Sequence, residues 1–340
     1  HIRAVPMGRA APLTIHSTCN PPTPDADPSV AQIHRLEQAG CDIIRVAVPN
    51  KEAARAVGAI KERISIPLVV DIHFDYRLAL EAVAAGADKV RINPGNIGGE
   101  DRVKAVAQAC RAKGVPIRIG VNGGSLEKGL LEKYGGVTPE ALVESAFGHI
   151  ALLNKFDFDD ICVSLKSSDV RTTMAAYRLM SERSGYPLHL GVTETGTRRM
   201  GVIKSAVGIG GLLGFGIGDT LRVSLSADPV EEVYAARDIL KALGIRKDGP
   251  DLISCPTCGR TKIDLIGLAE EVERRLQAVD KPITVAVMGC VVNGPGEASA
   301  ADVGIAGGDG VGLLFRKGEI VKKVPQERLV DELFALIDTL

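Results

Sequence analysis

Three cysteines near the C-terminal end carry the strongest chemical signal in this sequence. Cys255-Pro256-Thr257-Cys258 is a C-x-x-C pair after an apolar run, a spacing that lets two thiolates reach one metal centre. Taken alone, the pair fits zinc, a redox dithiol or an iron–sulfur cluster. A structural zinc site wants four good ligands, commonly a second such pair or two histidines. No second pair exists, and no His follows His189. A thioredoxin-type dithiol would open a helix inside a βαβ unit, whereas here Gly259 and Arg260 follow and a third Cys lies downstream. That third Cys sits in Met288-Gly289-Cys290-Val291-Val292-Asn293-Gly294-Pro295-Gly296-Glu297. The glycines permit close backbone approach to a bulky group, and their amides can donate hydrogen bonds to cluster sulfurs. The plainer reading, one more buried thiol in a tight turn, accounts less well for three cysteines in one small region. The pattern favours a 4Fe–4S cluster on Cys255, Cys258 and Cys290, with one iron left for an oxygen ligand. Glu297, in the same loop, is the natural candidate; the ordinary alternative for it is a solvated surface carboxylate. The other four cysteines, Cys19, Cys41, Cys110 and Cys162, stand alone among apolar neighbours and read as small buried hydrophobes.

A second set of residues is cationic. Arg45, Arg91, Arg118, Lys166 and Arg222 each fall at or just after the expected C-terminal end of a β-type run. Polar residues keep the same rule: Asp71, His73, Asn93, Asn122, Ser164, Thr193, Glu194 and Ser224. In a β/α barrel that end is where active sites form. Five converging cations repel one another unless an anion joins them, and the arginine fork suits phosphate oxygens. A single such Arg reads more plainly as a salt bridge to a neighbouring strand, and His73 alone as a satisfied structural histidine. The signal lies in the layer. Glu194, at a strand end, is the candidate for proton delivery.

The elements that must position these residues are legible. Apolar β-rich runs at 13–17, 43–46, 68–71, 89–92, 117–121, 160–165, 188–192 and 220–224 alternate with helical patterns bounded by Gly or Pro. Eight such units predict an α/β fold, an N-terminal (β/α)8 TIM barrel at 1–227; a doubly wound open sheet is the runner-up. No G-x-G-x-x-G is present, so a dinucleotide site has weak support. An internal repeat strengthens the barrel: Ala39-Gly40-Cys41-Asp42-Ile43-Ile44-Arg45-Val46 matches Ala85-Gly86-Ala87-Asp88-Lys89-Val90-Arg91-Ile92. A linker helix is expected at 228–249, then a smaller α+β iron–sulfur domain at 250–340 with turns at 307–310 and 317–318.

Bulk composition narrows the function classes. The 340 residues suit two domains. Lys plus Arg is 41 and Asp plus Glu 42, so no global basic field favours nucleic acid; with no Trp and few other aromatics, base-stacking platforms are not expected. No apolar run reaches membrane-spanning length without charges, and the first residues lack a signal-peptide core. A cytoplasmic enzyme is the expectation.

Together these stretches resemble the 4-hydroxy-3-methylbut-2-enyl diphosphate synthase family of the methylerythritol phosphate route to isoprenoids. The matching runs are Ile44-Arg45-Val46-Ala47-Val48-Pro49, Asp71-Ile72-His73-Phe74, Arg91-Ile92-Asn93-Pro94-Gly95-Asn96, Ile117-Arg118-Ile119-Gly120-Val121-Asn122, Gly191-Val192-Thr193-Glu194, Thr220-Leu221-Arg222-Val223-Ser224 and the two cysteine motifs. The resemblance implies reductive ring opening and dehydration of methylerythritol cyclodiphosphate, and ligation of a 4Fe–4S cluster by Cys255, Cys258, Cys290 and Glu297. It implies substrate binding by Arg45, Asp71, His73, Arg91, Asn93, Arg118, Asn122, Lys166, Thr193, Arg222, Ser224 and Asn293. It further implies a homodimer sharing its active site, in which one subunit's cluster domain caps the other's barrel. Lacking a flavin or nicotinamide site, such an enzyme takes electrons from a ferredoxin or flavodoxin. A carboxylate is a harder, weaker partner for an iron–sulfur centre than thiolate, so Glu297 is expected to yield to substrate and counts with Glu194 as catalytic. The chain reads as the bacterial two-domain type. The segment Ile15-His16-Ser17-Thr18-Cys19-Asn20 departs from the family's usual Gln-Ser-Met-Thr-Asn run, and no role is assigned to His16 or Cys19. Two rivals stand beside this reading: a non-enzymatic metal- or cluster-stabilised sensor of a phosphorylated ligand, and a pterin-type barrel synthase, which leaves the C-terminal cysteines unexplained.

Overall fold

The computed structural model describes residues 2, 5–8, 11–290 and 298–340, in two compact units, His1–Leu243 and Gly244–Leu340. Asn293 and Glu297 lie outside the described residues.

The first unit alternates strand and helix: β1 Thr14–Thr18, α1 Ala26–Gln38, β2 Ile43–Ala47, α2 Lys51–Lys61, β3 Leu68–Asp71, α3 Tyr76–Ala84, β4 Lys89–Ile92, α4 Glu100–Lys113, β5 Ile117–Asn122, α5 Lys128–Tyr134, α6 Pro139–Asn154, β6 Ile161–Lys166, α7 Val170–Arg183, β7 His189–Leu190, α8 Arg198–Ser205, α9 Gly211–Gly214, β8 Thr220–Leu221 and α10 Pro229–Ala242. All eight strands are parallel, in the order β6-β5-β4-β3-β2-β1-β8-β7, and a parallel bridge from Val163 to Leu188 brings β6 to the segment entering β7. The ring is the expected TIM barrel. Strands β7 and β8 are shorter than their apolar runs. Beyond β7 the chain turns at Glu194, which has φ +53°, and Thr193 donates its N–H to the Ser167 carbonyl instead of extending the ladder.

Local chemistry explains the regularity. Asn50, Asp75, Thr138 and Asp169 cap α2, α3, α6 and α7 by accepting backbone N–H groups with their side chains. The sequence repeat is a structural device. Gly40 and Gly86 both sit at φ +100°, a left-handed backbone that favours glycine. The Asp two residues on then accepts a backbone amide at the start of a neighbouring strand: Asp42 from Ile15 and Asp88 from Leu68, each at 2.7 Å. Asp219 does the same for Leu188. Outward-facing strand residues such as Ile44, Val46, Val70, Ile92, Ile119 and Leu165 form the core beneath the helices.

The helix expected to link the halves is α10, and it belongs to the first unit. It packs on β1 and α1, Arg237 Nη1 donates to the Ala39 carbonyl at 3.1 Å, and Asp228 pairs with Arg35 at 2.8 Å. Its apolar face (Val233, Ala236, Ile239, Leu240) completes the barrel's outer ring, which is why it does not stand free.

The second unit has a five-stranded sheet ordered β13-β12-β11-β10-β9, from β9 Asp251–Ser254, β10 Thr284–Met288, β11 Val303–Ala306, β12 Val311–Arg316 and β13 Glu319–Pro325. The first three strands are parallel; β12 and β13 return antiparallel through turns at 307–310 and 317–318. Helices α11 Leu265–Leu276 and α12 Leu329–Asp338 cover one face with Leu265, Val272, Leu276, Leu333 and Ile337. Among the described residues, no helix is long and apolar enough to cross a membrane.

Candidate active site

Barrel interiors are ordinarily filled by branched apolar side chains. Here alternation along the strands turns charges inward. Arg45, Lys89, Arg91, Arg118, Lys166 and Arg222 come from β2, β4, β5, β6 and the end of β8, and Lys89, Arg91, Arg118 and Lys166 are buried. The sequence pattern places Arg118 at the C-terminal end of its strand. It is in fact the second residue of β5, and the stagger of tilted barrel strands sets it in direct register with Arg91.

Against these cations stand two buried carboxylates. Asp71 bridges Arg91 Nη1 at 3.0 Å and Arg45 Nη1 at 3.2 Å, one through each oxygen. Burial pushes the Asp71 carboxyl up, but the two arginines outweigh it and hold it below its usual value. Glu232, from α10, lies 3.5 Å from Arg222 Nη2 and accepts the Leu225 N–H at 2.9 Å. Arg118 and Lys166 make no ion pair among the described residues, and the buried Nε atoms of Arg45, Arg118 and Arg222 have no hydrogen-bond partner there. Burial first, then mutual repulsion, lowers the pKa of Lys166 well below its ordinary value and lowers that of Arg118. Such a cluster of cations is incomplete without a multiply charged anion.

Two glycines shape it. A Cβ on Gly120 would fall 2.4 Å from Arg91 Nε, and one on Gly191 would fall 2.6 Å from Lys166 Nζ. Both are seats cut for cations. Gly120→Ala is expected to push the Arg91 guanidinium off Asp71, costing about 1–3 kcal/mol of stability and weakening anion binding; thermal unfolding and a binding titration check both.

The remaining residues take distinct places. His73 is exposed, its Nδ1 4.0 Å from Asp71. Asn93 is buried and spends its Oδ1 on the Gly95 N–H at 3.1 Å. Asn122, Thr193 and Ser224 are half-buried, and the Ser224 carbonyl accepts the Thr195 hydroxyl. Ser164 donates to the Ile119 carbonyl at 3.3 Å. Glu194 is exposed on its left-handed turn. Lys89, Glu232 and the two glycine seats escape the sequence reading. Lys89 and Gly120 each lie two positions from an arginine already singled out, so strand periodicity contains them; Glu232, on a helix, leaves no such signal.

In the second unit, β9 and β10 are adjacent and parallel, so their C-terminal ends bring Cys255 beside Gly289 and Cys290. Gly289 donates its N–H to Cys255 Sγ at 3.2 Å. The Cys258 loop is tied to the same turn: Lys262 donates to the Gly289 carbonyl, and Thr261 exchanges hydrogen bonds with Cys258. A Cβ on Gly289 would fall 3.0 Å from the Thr261 hydroxyl and 3.1 Å from Leu265, so the crossing is tight. The exposed Cys258 thiol is lowered by hydrogen bonds from Arg260, backbone first, and favours its thiolate. Among the described residues no three His, Cys, Asp or Glu side chains stand in metal-holding geometry. The donor set itself, soft thiols with an amide already aimed at one sulfur, fits an iron–sulfur group. The four isolated cysteines are buried, and burial raises Cys19 to about 11 and Cys41 and Cys110 to about 12, as inert core thiols require.

Fold and site define a barrel enzyme that takes an anionic small molecule and carries a separate cysteine-bearing domain. The chain belongs to the GcpE family: residues 1–237 match the GcpE TIM-barrel domain and 251–339 the GcpE protein C-terminal domain. Relatives from Caldanaerobacter subterraneus and Geobacter sulfurreducens, both called 4-hydroxy-3-methylbut-2-en-1-yl diphosphate synthase (flavodoxin), are each 59% identical; each alignment covers 98% of this chain, and 94% and 95% of the respective relative. Among solved structures, a dihydropteroate synthase from Coxiella burnetii aligns with a TM-score of 0.52 at 14% identity, over 71% of this chain and 97% of that one. That likeness carries the barrel fold and no chemistry.

Proposed function

We propose that this chain opens the ring of methylerythritol cyclodiphosphate reductively, consuming two electrons and two protons and releasing water, to give hydroxymethylbutenyl diphosphate. The observation that carries the reading is the excess of cations over carboxylates inside the barrel among the described residues. Arg118, Lys166 and Arg222 hold the diphosphate, and Arg45 and Arg91, fixed by Asp71, complete its cage. Asn93, Asn122, Thr193, Ser224 and His73 line the rim, with Asn293 assigned to the same set. Glu194, solvent-accessible at the rim, delivers a proton. Cys255, Cys258, Cys290 and Glu297 would hold a 4Fe–4S cluster, which supplies the electrons one at a time. A flavodoxin, as in the relatives' name, or a ferredoxin reduces it. A homodimer with a shared active site and a cytoplasmic location complete the proposal; sedimentation tests the first.

The binding step has its own signature. Lys166 holds its proton weakly while no anion is present, and an arriving diphosphate restores it. Binding therefore takes up a proton, and affinity falls as pH rises between the lowered Lys166 pKa and its ordinary value. Calorimetric titration of the cyclodiphosphate in buffers of different ionisation enthalpy is expected to show this uptake in wild type and not in Lys166→Met. Absence of binding would overturn the substrate assignment.

A further inference from the structure

The N-terminal face of the barrel carries a cleft of about 420 Å³ that the reaction does not use, lined by Met7, Lys89, Asp159, Asp160, Cys162 and Tyr186 among others. Lys89 in its wall is fully buried. Its ammonium nitrogen makes no ion pair among the described residues; it lies 3.7 Å from the Met7 thioether and within hydrogen-bonding reach of the Cys162 thiol. The chain segment that supplies Met7, residues 1–12, contains no Asp or Glu. The inward-facing neighbours on the next strands are Arg118 on β5 and, in register with it, Cys162 on β6. A buried lysine beside a buried arginine, neither of them in an ion pair among the described residues, is an expensive arrangement if both stay cationic.

We propose that Lys89 is a carbamylation site, its amine adding carbon dioxide that enters through this cleft, with the carbamate stabilised by Arg118. The addition is redox-neutral: the amine nitrogen forms a C–N bond to carbon dioxide, one C=O π bond opens to a carboxylate oxygen, and the nitrogen's proton leaves to solvent. It requires a neutral amine. Burial first, and then Arg118, lowers the Lys89 pKa, with Cys162 and Asp160 opposing. The visitor is also selected by charge. Asp159 and Asp160 stand in the cleft wall and repel an anion, whereas uncharged carbon dioxide passes. Once formed, the carbamate places an anion next to Arg118, whose buried Nε lacks a partner among the described residues. The barrel interior then approaches the charge balance that its two carboxylates alone do not give.

The test uses the intact protein, anaerobically prepared and equilibrated with ¹³C-labelled bicarbonate. A carbamate carbon resonance is expected in wild type and not in Lys89→Met. Trapping with triethyloxonium, followed by peptide mass analysis, is expected to place an ethoxycarbonyl group on the Lys89 peptide in most chains. Because the trapping needs no variant, it decides the matter even where Lys89→Met fails to fold. An unmodified Lys89 peptide at saturating carbon dioxide, or a resonance that persists in Lys89→Met, overturns the proposal.

Discussion

Arg118→Ala is expected to weaken cyclodiphosphate binding by about 30-fold, which corresponds to roughly 2 kcal/mol for a desolvated charge-assisted contact. The loss should come without stranding a buried carboxylate side chain, because Arg118 pairs with none among the described residues and its removal relieves repulsion with Arg91 and Arg222. Arg222→Ala should weaken binding by a similar factor but also destabilise the fold, since it strands the buried carboxylate of Glu232. Iron content should be unchanged in both. The contrast separates a cation kept for a ligand from one also kept by its own structure. Unaltered affinity in both variants would mean that these arginines serve the barrel and not the substrate.

Cys255→Ala and Cys258→Ala are expected to reduce bound iron from about four per chain to near background and to abolish turnover. The two thiols sit at opposite extremes: Cys255 is half-buried and accepts the Gly289 amide, while Cys258 is exposed with a lowered thiol pKa. A purely structural role would make the half-buried one matter and the exposed one not. A ligand role makes both matter equally. The barrel has its own core, so its thermal transition should persist in both variants. Iron retained in Cys258→Ala would remove that residue from the ligand set.

Much of this was legible in the residues because the signals are local. The repeat around Gly40 and Gly86 depends on a left-handed glycine and an aspartate that accepts an amide from the preceding strand, and both are written in the sequence. The cations are legible because period-2 alternation makes Arg91 and Arg118 inward-facing once their strands are recognised. Register is not local. Nothing in the β5 segment reveals that Arg118, near its start, lies level with Arg91; that follows from the stagger needed to close eight strands. The role of α10 escapes for a similar reason, since a helix after the last strand reads as a connector until its apolar face is seen against β1. Glu232 is hidden with it.

The most direct measurement is product formation by the anaerobically purified protein, supplied with methylerythritol cyclodiphosphate and reduced flavodoxin. Hydroxymethylbutenyl diphosphate, formed with iron and sulfide at about four each per chain and lost when the donor is withheld, is the expected result. A protein carrying stoichiometric zinc and no iron, binding the cyclodiphosphate but leaving it unchanged under the same conditions, would contradict the enzymatic reading and leave a sensor in its place.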